Sequence, residues 1–544
     1  ARAGRPGGRF SLQERLQLQE MARLAVFSNT VTAVSGGLGI PLPVSQEVFL
    51  RHYRQALALP LPIVGNLDTA QMAHFFERCR GIPGIDLEVQ AVRSYPFGRL
   101  AAHLLGHLQR ADEAESDPEL LIFRYRLPDF QGVAGVEGRF DDALRGRAGV
   151  KALRVNSQGY RHEEWFLQPT EWGRDVRLAL DVPIQMASER ALARIAGAET
   201  RGAAVVMDVR NGDLLAMVSL PSFDPNKFLG RISTEEFAEL SDERLRPQMN
   251  RAVSGAYAPG SIFKVVVGLA ALEAGVFDPD ESRYFPGYWA ASPRTPPIKD
   301  TAGAGHFDFK KAFKLSSNAY FIDCGLKAGR ERIVTLADRF GLGRKSGYAL
   351  GSEVRGFLPD AANLEKLRAR GDPWTEGDTA LLSIGQGALA VTPLQMAVMT
   401  AAVANGGKVL EPRLVLGFAG HGEEPPTSVE PKIVGDLGVE PRHLARIREA
   451  MLADVEEDGT GREAAIPGLR VCGKTGTAEV KQGRVLVDKI TWFVAFAPFE
   501  SPRYAVVVVV ESGGSGGRTC APVARQIFQA IQQREGAGRP VAAI

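Results

Sequence analysis

Cysteine is scarce in this 544-residue chain: Cys79, Cys324, Cys472 and Cys520 stand far apart. The close pairs of a zinc ribbon or a thioredoxin-like site are therefore excluded, and each thiol is expected to be a small buried side chain. An excess of either charge is lacking too. Lys and Arg total 65 against 63 Asp and Glu, a net charge of +2, so nothing in the balance calls for nucleic acid as a partner. There is no strongly apolar run of 18 residues. The nearest stretch, Leu24 to Gln46, is uncharged over 23 residues but carries Ser28, Asn29, Thr30, Thr32, Gly36, Gly37 and Pro41, and it is expected to be soluble structure. The chain starts at Ala1 without the pattern of a secretory leader, so any targeting or anchoring segment is expected to lie outside it.

What is present is ample apolar content, 45% of residues, in a chain too long for one ordinary domain. Two domains are expected, 1–172 and 173–544, because the linker-like Gln168-Pro169-Thr170-Glu171-Trp172-Gly173 precedes a change to long, well-formed elements. Before it lie short helical patterns such as Val136, Phe140 and Leu144. His103 and His107 stand at zinc-compatible spacing but lack the central Glu of a metalloprotease and are expected to be ordinary helix residues. After it, Asp181 caps a helix with Pro183 in its first turn and Ile184, Leu192 and Ile195 on one face. A hairpin over 202–208 and 213–219 follows, with Asn211-Gly212 supplying positive φ angles at the turn. Helical patterns dominate from about 221 to 465, including Thr392 to Val403, closed by Asn405-Gly406-Gly407. Strands return at 490–496 and 504–510, and a helix over 521–533 closes the chain. This order predicts an α+β domain whose sheet is assembled from both ends and covered by helices.

Three short strings carry chemistry: Ser261-Ile262-Phe263-Lys264, Ser316-Ser317-Asn318 and Lys474-Thr475-Gly476-Thr477. Singly each has a bland reading. A Ser-x-x-Lys match arises by chance about once in a chain this long, Ser-Ser-Asn is an ordinary turn or cap, and Lys474 reads as an exposed lysine among glycines. Together they form a Ser/Lys acyl-transfer site that needs no histidine. Pro259-Gly260 would place Ser261 at a helix N-terminus with Lys264 one turn on, where an unprotonated Lys264 accepts the hydroxyl proton. Lysine becomes a base only when desolvated or set beside a second cation, and Lys474 is the candidate for that cation. Ser316 and Asn318 offer a hydroxyl and an amide for proton shuttling and for holding a substrate amide.

At these motifs the sequence resembles the penicillin-binding protein and serine β-lactamase superfamily, and within it the class B penicillin-binding proteins. Tyr95-Pro96-Phe97-Gly98-Arg99-Leu100, Gly135-Val136-Glu137-Gly138, Ser383-Ile384-Gly385-Gln386-Gly387 and Thr392-Pro393-Leu394-Gln395 extend the resemblance, and Trp492 through Gly514 is most similar to elongation-type members. The resemblance implies a transpeptidase domain, an antiparallel sheet flanked by helices, after a non-catalytic, partner-binding pedestal. It implies acylation of Ser261 by D-Ala-D-Ala stem peptides and by β-lactams, with Lys264 as base, Ser316 and Asn318 assisting, and Lys474, Thr475 and Thr477 on the substrate carboxylate. The motif glycine, Gly476, belongs to the same subsite, and the backbone N–H groups of Ser261 and Thr477 would form the oxyanion hole. A SEDS-type glycosyltransferase and elongation-complex proteins are the implied partners, and an N-terminal helix outside this chain the implied anchor to the inner membrane, with the domains on its periplasmic side. No cofactor is implied. Some relatives hold zinc near the second motif, but here Asp300 and His306 lack the matching Cys before Ser316, so no metal is expected. The Arg-Gly-x-Ile-x-Asp-Arg-x-Gly string of many pedestals is absent. The alternatives are a septal-type transpeptidase, a serine β-lactamase, which seldom needs about 170 preceding residues, a β-lactam sensor, and a catalytically idle scaffold.

Overall fold

The computed structural model describes residues 10–536 apart from 43, 56–58, 89–91, 111–129, 157–160, 196, 231, 421–424 and 483–484. Two compact units emerge, one of residues 1–94, 111–129 and 147–171, the other of 95–110, 130–146 and 172–544.

In the first unit, helix α1 (Leu12–Leu38) covers much of the uncharged run. Ser11 and Glu14 close a reciprocal cap at its start, and Gly39, in the left-handed region at φ +71°, ends it. Its last turns bury Val34 and Leu38 against Phe75 and Cys79. Strands β1 (Val150–Val155) and β2 (Arg161–Gln168) form an antiparallel hairpin that leaves Trp165, Phe166 and Leu167 exposed. Among the described residues no helix is long and apolar enough to cross a membrane.

The second unit is built on a five-stranded antiparallel sheet. Its strands are β3 (Gly202–Asp208) and β4 (Leu214–Leu220) from one end of the unit and, beyond the hairpin β5 (Arg283–Trp289) and β6 (Ile298–Phe307), β7 (Cys472–Gln482), β8 (Val485–Ala497) and β9 (Tyr504–Glu511) from the other. The spatial order is β7-β8-β9-β3-β4. The sheet is thus closed from both ends of the unit, as the order of elements predicts. Alternation along each strand divides its side chains between two cores. Val205, Trp492, Val494, Val507 and Val509 face the front core, whereas Val206, Phe493, Ala495, Val506 and Val508 face the back one. With both faces covered, β9 reads as an unbroken valine run rather than an alternating one.

Helices α2 (Val182–Ala193) and α7 (Ala521–Gly536) cover the back. Asp181 caps α2 by accepting from the Ile184 N–H, with Pro183 in the first turn, as expected. The front is covered by α3 (Lys264–Glu273), α4 (Asn318–Ala328), α5 (Pro393–Ala404) and α6 (Pro441–Glu456). Every residue of α5 is buried, and Thr392 and Gln395 close its capping box.

Several local expectations are corrected. In the β3–β4 turn only Gly212 takes a positive φ, +84°; Asn211 instead accepts from the Asp213 N–H through its side chain, and a register shift absorbs the extra length. The Val136–Leu144 pattern is broken at Phe140 into two short helices, Gly135–Arg139 and Asp141–Arg145. His107 lies beyond the short helix Ala102–Leu105 that carries His103, so the two do not share a helix face. The β5–β6 hairpin interrupts the helical middle where Thr301-Ala302-Gly303-Ala304-Gly305 gives no apolar alternation to read.

Candidate active site

The nucleophile candidate sits on a 3-10 turn, Gly260–Phe263, that leads directly into α3. The backbone is drawn tightly together there. Gly260 has φ +58°, and a Cβ on it would lie 2.8 Å from the Thr477 carbonyl oxygen; one on Gly476 would lie 2.7 Å from that of Pro259. Glycine at both positions is what lets β7 run alongside the turn. The Trp492 indole N–H donates to the Ala258 carbonyl at 3.0 Å, and Gly260 N–H donates to the Gly385 carbonyl at 2.8 Å, so the Ser383–Gly387 segment buttresses the same turn. Ser261 is half-buried at the surface of this assembly.

Lys264 is fully buried at the start of α3. Its Nζ donates to the Ser316 carbonyl at 2.7 Å and to Asn318 Oδ1 at 2.8 Å, and lies 3.3 Å from Ser316 Oγ. All three oxygens lie in the second motif, which itself is strained into place. Ser316 holds φ +60°, rare for a residue with a side chain. Asp300 of β6 fixes the following turn by accepting from Ser317 Oγ at 2.6 Å and from the N–H groups of Asn318 at 2.8 Å and Ala319 at 3.1 Å. Thr301 donates its hydroxyl to the Ser316 carbonyl as well. Asp300 is thus committed to capping α4, while the His306 ring packs on Tyr284. Among the described residues no cluster of three His, Cys, Asp or Glu side chains is placed to hold a metal.

Lys474 is likewise fully buried. Its register partner is Val494, a front-core residue, so its side chain enters the front face, with Nζ 5.5 Å from the centre of the Phe313 ring. Burial holds the Lys264 ammonium well below its ordinary range, the Lys474 charge lowers it further, and Asp300 works the other way. Lys474 is itself lowered by burial, opposed by Asp454. Thr475 pairs with Phe493 and therefore points to the opposite face. There its hydroxyl lies 2.5 Å from that of Thr460. Thr477 Oγ1 accepts from the Gly516 N–H at 3.2 Å.

The motifs named from sequence therefore converge: Lys264, Ser316 and Asn318 are joined by hydrogen bonds, Ser261 lies one turn from Lys264, and Lys474 reaches the same buried front. Thr475 is turned toward Thr460 instead. Sequence reasoning missed Asp454, fully buried in α6 with its Oδ1 3.9 Å from Lys474 Nζ. The run Asp454-Val455-Glu456-Glu457-Asp458 reads as a solvated acidic stretch, yet Asp454 continues the buried stripe of Ile447 and Met451 at helical spacing. The two histidines are structural. His103 Nε2 is 2.7 Å from the Pro247 carbonyl oxygen and burial lowers its pKa to about 4, while His107 stacks on Phe228 at 3.9 Å.

A half-buried serine on a helix-opening turn, a desolvated lysine, a second buried lysine and a strained Ser-x-Asn turn make an arrangement suited to acyl transfer through a serine. The family model for the penicillin-binding protein transpeptidase domain matches residues 202–529, and that for the penicillin-binding protein dimerisation domain matches 16–178. The chain belongs to the penicillin-binding protein transpeptidase family, in its class B form with both domains. It is 33% identical over 482 residues to the peptidoglycan D,D-transpeptidase MrdA of Acinetobacter baumannii, covering 85% of this chain and 69% of the relative. To MrdA of Haemophilus influenzae it is 31% identical, covering 86% and 74%. Among solved structures, Pseudomonas aeruginosa PBP2 in complex with WCK 5153 superimposes with a TM-score of 0.68 at 32% identity, covering 82% of this chain and 92% of that one. PBP2 from Helicobacter pylori, solved as a complex with MreC, gives 0.74 at 26% identity, covering 98% and 93%.

Proposed function

We propose that this protein is a peptidoglycan D,D-transpeptidase of the elongation type that works through an acyl-enzyme on Ser261 with Lys264 as its base. The observation that carries the reading is the state of Lys264: a fully buried ammonium site, held low by desolvation and by Lys474, one turn from the serine. A lysine whose ammonium form is destabilised by burial and a neighbouring lysine is a better proton acceptor than an exposed one.

In the proposed cycle Ser261 Oγ attacks the penultimate D-alanine carbonyl of a stem peptide while its proton passes to Lys264 Nζ. The oxyanion is met by the backbone N–H groups of Ser261 and Thr477. The C–N bond then breaks and terminal D-alanine leaves, its amine taking the proton through Ser316. An amine of a neighbouring stem attacks the ester carbonyl; the C–N bond of the cross-link forms, the C–O bond to Ser261 breaks, and the amine's proton returns to Ser261 Oγ. Asn318 orients the peptide amide, and Lys474 binds the terminal carboxylate together with Thr475 and Thr477, whose hydroxyls turn to it from Thr460 and from the Gly516 N–H. Gly476 leaves room for the peptide beside β7. β-Lactams acylate Ser261 as mimics of the same end.

Residues 1–172 are proposed to serve as the partner-binding pedestal and 173–544 as the transpeptidase domain, with 95–110 and 130–146 joined to the catalytic unit by packing. The proposed setting is the periplasmic side of the inner membrane, where the cell wall is made. The proposed partners are elongation-complex proteins of the kind solved with the Helicobacter pylori relative and a SEDS-type glycosyltransferase. Mass spectrometry after penicillin treatment tests the core of the reading. A long-lived adduct on the peptide containing Ser261 is expected; no adduct overturns it, and turnover within seconds makes the protein a β-lactamase.

A further inference from the structure

The substrate carboxylate that Lys474 is proposed to bind is absent until substrate arrives, yet the Lys474 side chain is wholly out of water. A lone buried ammonium gives up its proton rather than stay charged. A neutral Lys474 would bind no carboxylate, and it would cease to hold Lys264 in its basic form. Some fixed anion must therefore support the charge in the free enzyme.

Asp454 is placed to do this. It is fully buried, and its Oδ1 lies 3.9 Å from Lys474 Nζ. The carboxylate form is itself supported: Oδ1 accepts from Thr460 N–H at 3.1 Å and from Thr460 Oγ1 at 2.7 Å. Oδ2 is buried with no hydrogen-bond partner among the described residues. Space around it is kept by glycine, since a Cβ on Gly461 would come within 2.6 Å of Oδ2. Burial opposes the charge on each partner, and each is the main coulombic support of the other. The other charges on elements packed here are directed elsewhere. Lys310 and Lys314 pair with Glu457 at the surface and Lys311 with the His306 carbonyl; Glu456 pairs with Arg470, and Arg462 with Glu463. Arg518 and Glu479 are exposed. Arg448 of α6 donates to the Phe499 carbonyl, and Lys264, itself held low, supplies no anion.

We propose that Asp454 is a positioning residue that keeps Lys474 cationic and aimed into the front face before a substrate carboxylate arrives, and through it keeps Lys264 available as base. The inference rests on the acyl-transfer reading above and assigns Asp454 no contact with substrate. Asp454→Asn keeps the size and an oxygen to accept from Thr460 but removes the charge. The rate constant for penicillin acylation of Ser261 is measured from pH 6 to pH 10 for the wild type, Asp454→Asn and Asp454→Glu.

The wild type should show a rising acid limb as Lys264 loses its proton and a falling alkaline limb as Lys474 does. Asp454→Asn should move the alkaline limb down by a pH unit or more, which a pH unit above the wild-type midpoint is a drop of about tenfold. Asp454→Glu should restore the limb in whole or part. A residue that merely packs would change the amount of folded protein without moving either limb. Profiles that superimpose after scaling therefore overturn the proposal. Should Asp454→Asn not fold, Asp454→Ser, which leaves room for a water beside Lys474, is carried through the same titration: a lowered alkaline limb supports the proposal and an unmoved one overturns it. A wild type that takes no penicillin at Ser261 overturns the acyl-transfer reading first, an outcome distinct from unchanged limbs in a variant that is acylated.

Discussion

The two faces of the five-stranded sheet bury comparable aliphatic and aromatic side chains but treat polarity in opposite ways. Behind the sheet, α2 and α7 close an apolar core at which Gln185 exchanges hydrogen bonds with the Met217 backbone and Ser188 donates to the Ile184 carbonyl. In front, the same strands help to bury two lysines completely, with Asp454 buried beside Lys474 and a serine held at φ +60°. Each of those features costs stability on its own. The difference teaches where the molecule draws its stability and where it uses it: the back face and the apolar part of the front hold the sheet rigid enough to keep charges in a place they would otherwise leave.

Exchanging a single atom at the centre of the front face gives the largest expected effect. Ser261→Ala should lower the rate of β-lactam acylation by at least about 10⁴-fold, as for other residues that act as a unit in covalent catalysis. Its thermal midpoint should stay close to the wild-type value, since the hydroxyl is half-buried and holds nothing together. A large fall in stability would mean that the nucleophile turn is structural, and the contrast between the faces would weaken. The converse change lies behind the sheet. Phe528 is 1% exposed in the back core, and Phe528→Ala should cost about 3–5 kcal/mol in denaturant unfolding. Acylation per folded molecule should be unchanged. If it falls with stability, the faces are mechanically coupled.

How much of this was legible in the sequence follows from the same contrast. The back face could be read almost entirely, because apolar periodicity is its only content: Asp181, Ile184 and Leu192 announce α2, and the valine run of β9 announces a strand covered on both sides. The front was legible wherever three residues in a row carried the chemistry, as in Ser316-Ser317-Asn318. It was not legible where a side chain acts across the fold. Asp454 stands among acidic neighbours that are solvated, and its role depends on a lysine twenty positions on in sequence, on another element. Asp300 was visible as a candidate metal ligand, but its work as the cap of α4 needs the β5–β6 hairpin, which has no apolar alternation to reveal it. Thr475 and Thr477 show the limit of motif reading in another way: in one string with Lys474, both are set by the pleat on the other face of β7, where Thr475 meets Thr460 and Thr477 meets the Gly516 N–H.

The smallest effect is the sharpest test of why the front face is costly. In the folded protein Lys264 is held neutral at pH values where a lysine in the unfolded chain binds a proton. Between the folded and unfolded pKa values the unfolded state therefore carries more protons, and the stability of the wild type must rise with pH across that window. The slope for one such group is at most about 1.4 kcal/mol per pH unit. Lys264→Met removes this group and with it its share of the slope. The two acceptors left behind, the Ser316 carbonyl and Asn318 Oδ1, lose their donor at a cost that does not depend on pH. Urea unfolding of both proteins at pH 7, 8 and 9 should therefore give two lines that diverge, with the wild type gaining on the variant as pH rises. Parallel lines would mean that Lys264 keeps its proton in the fold. In that event the buried front would be a structural ion cluster no different in kind from the surface pairs, and Ser261 would need another base.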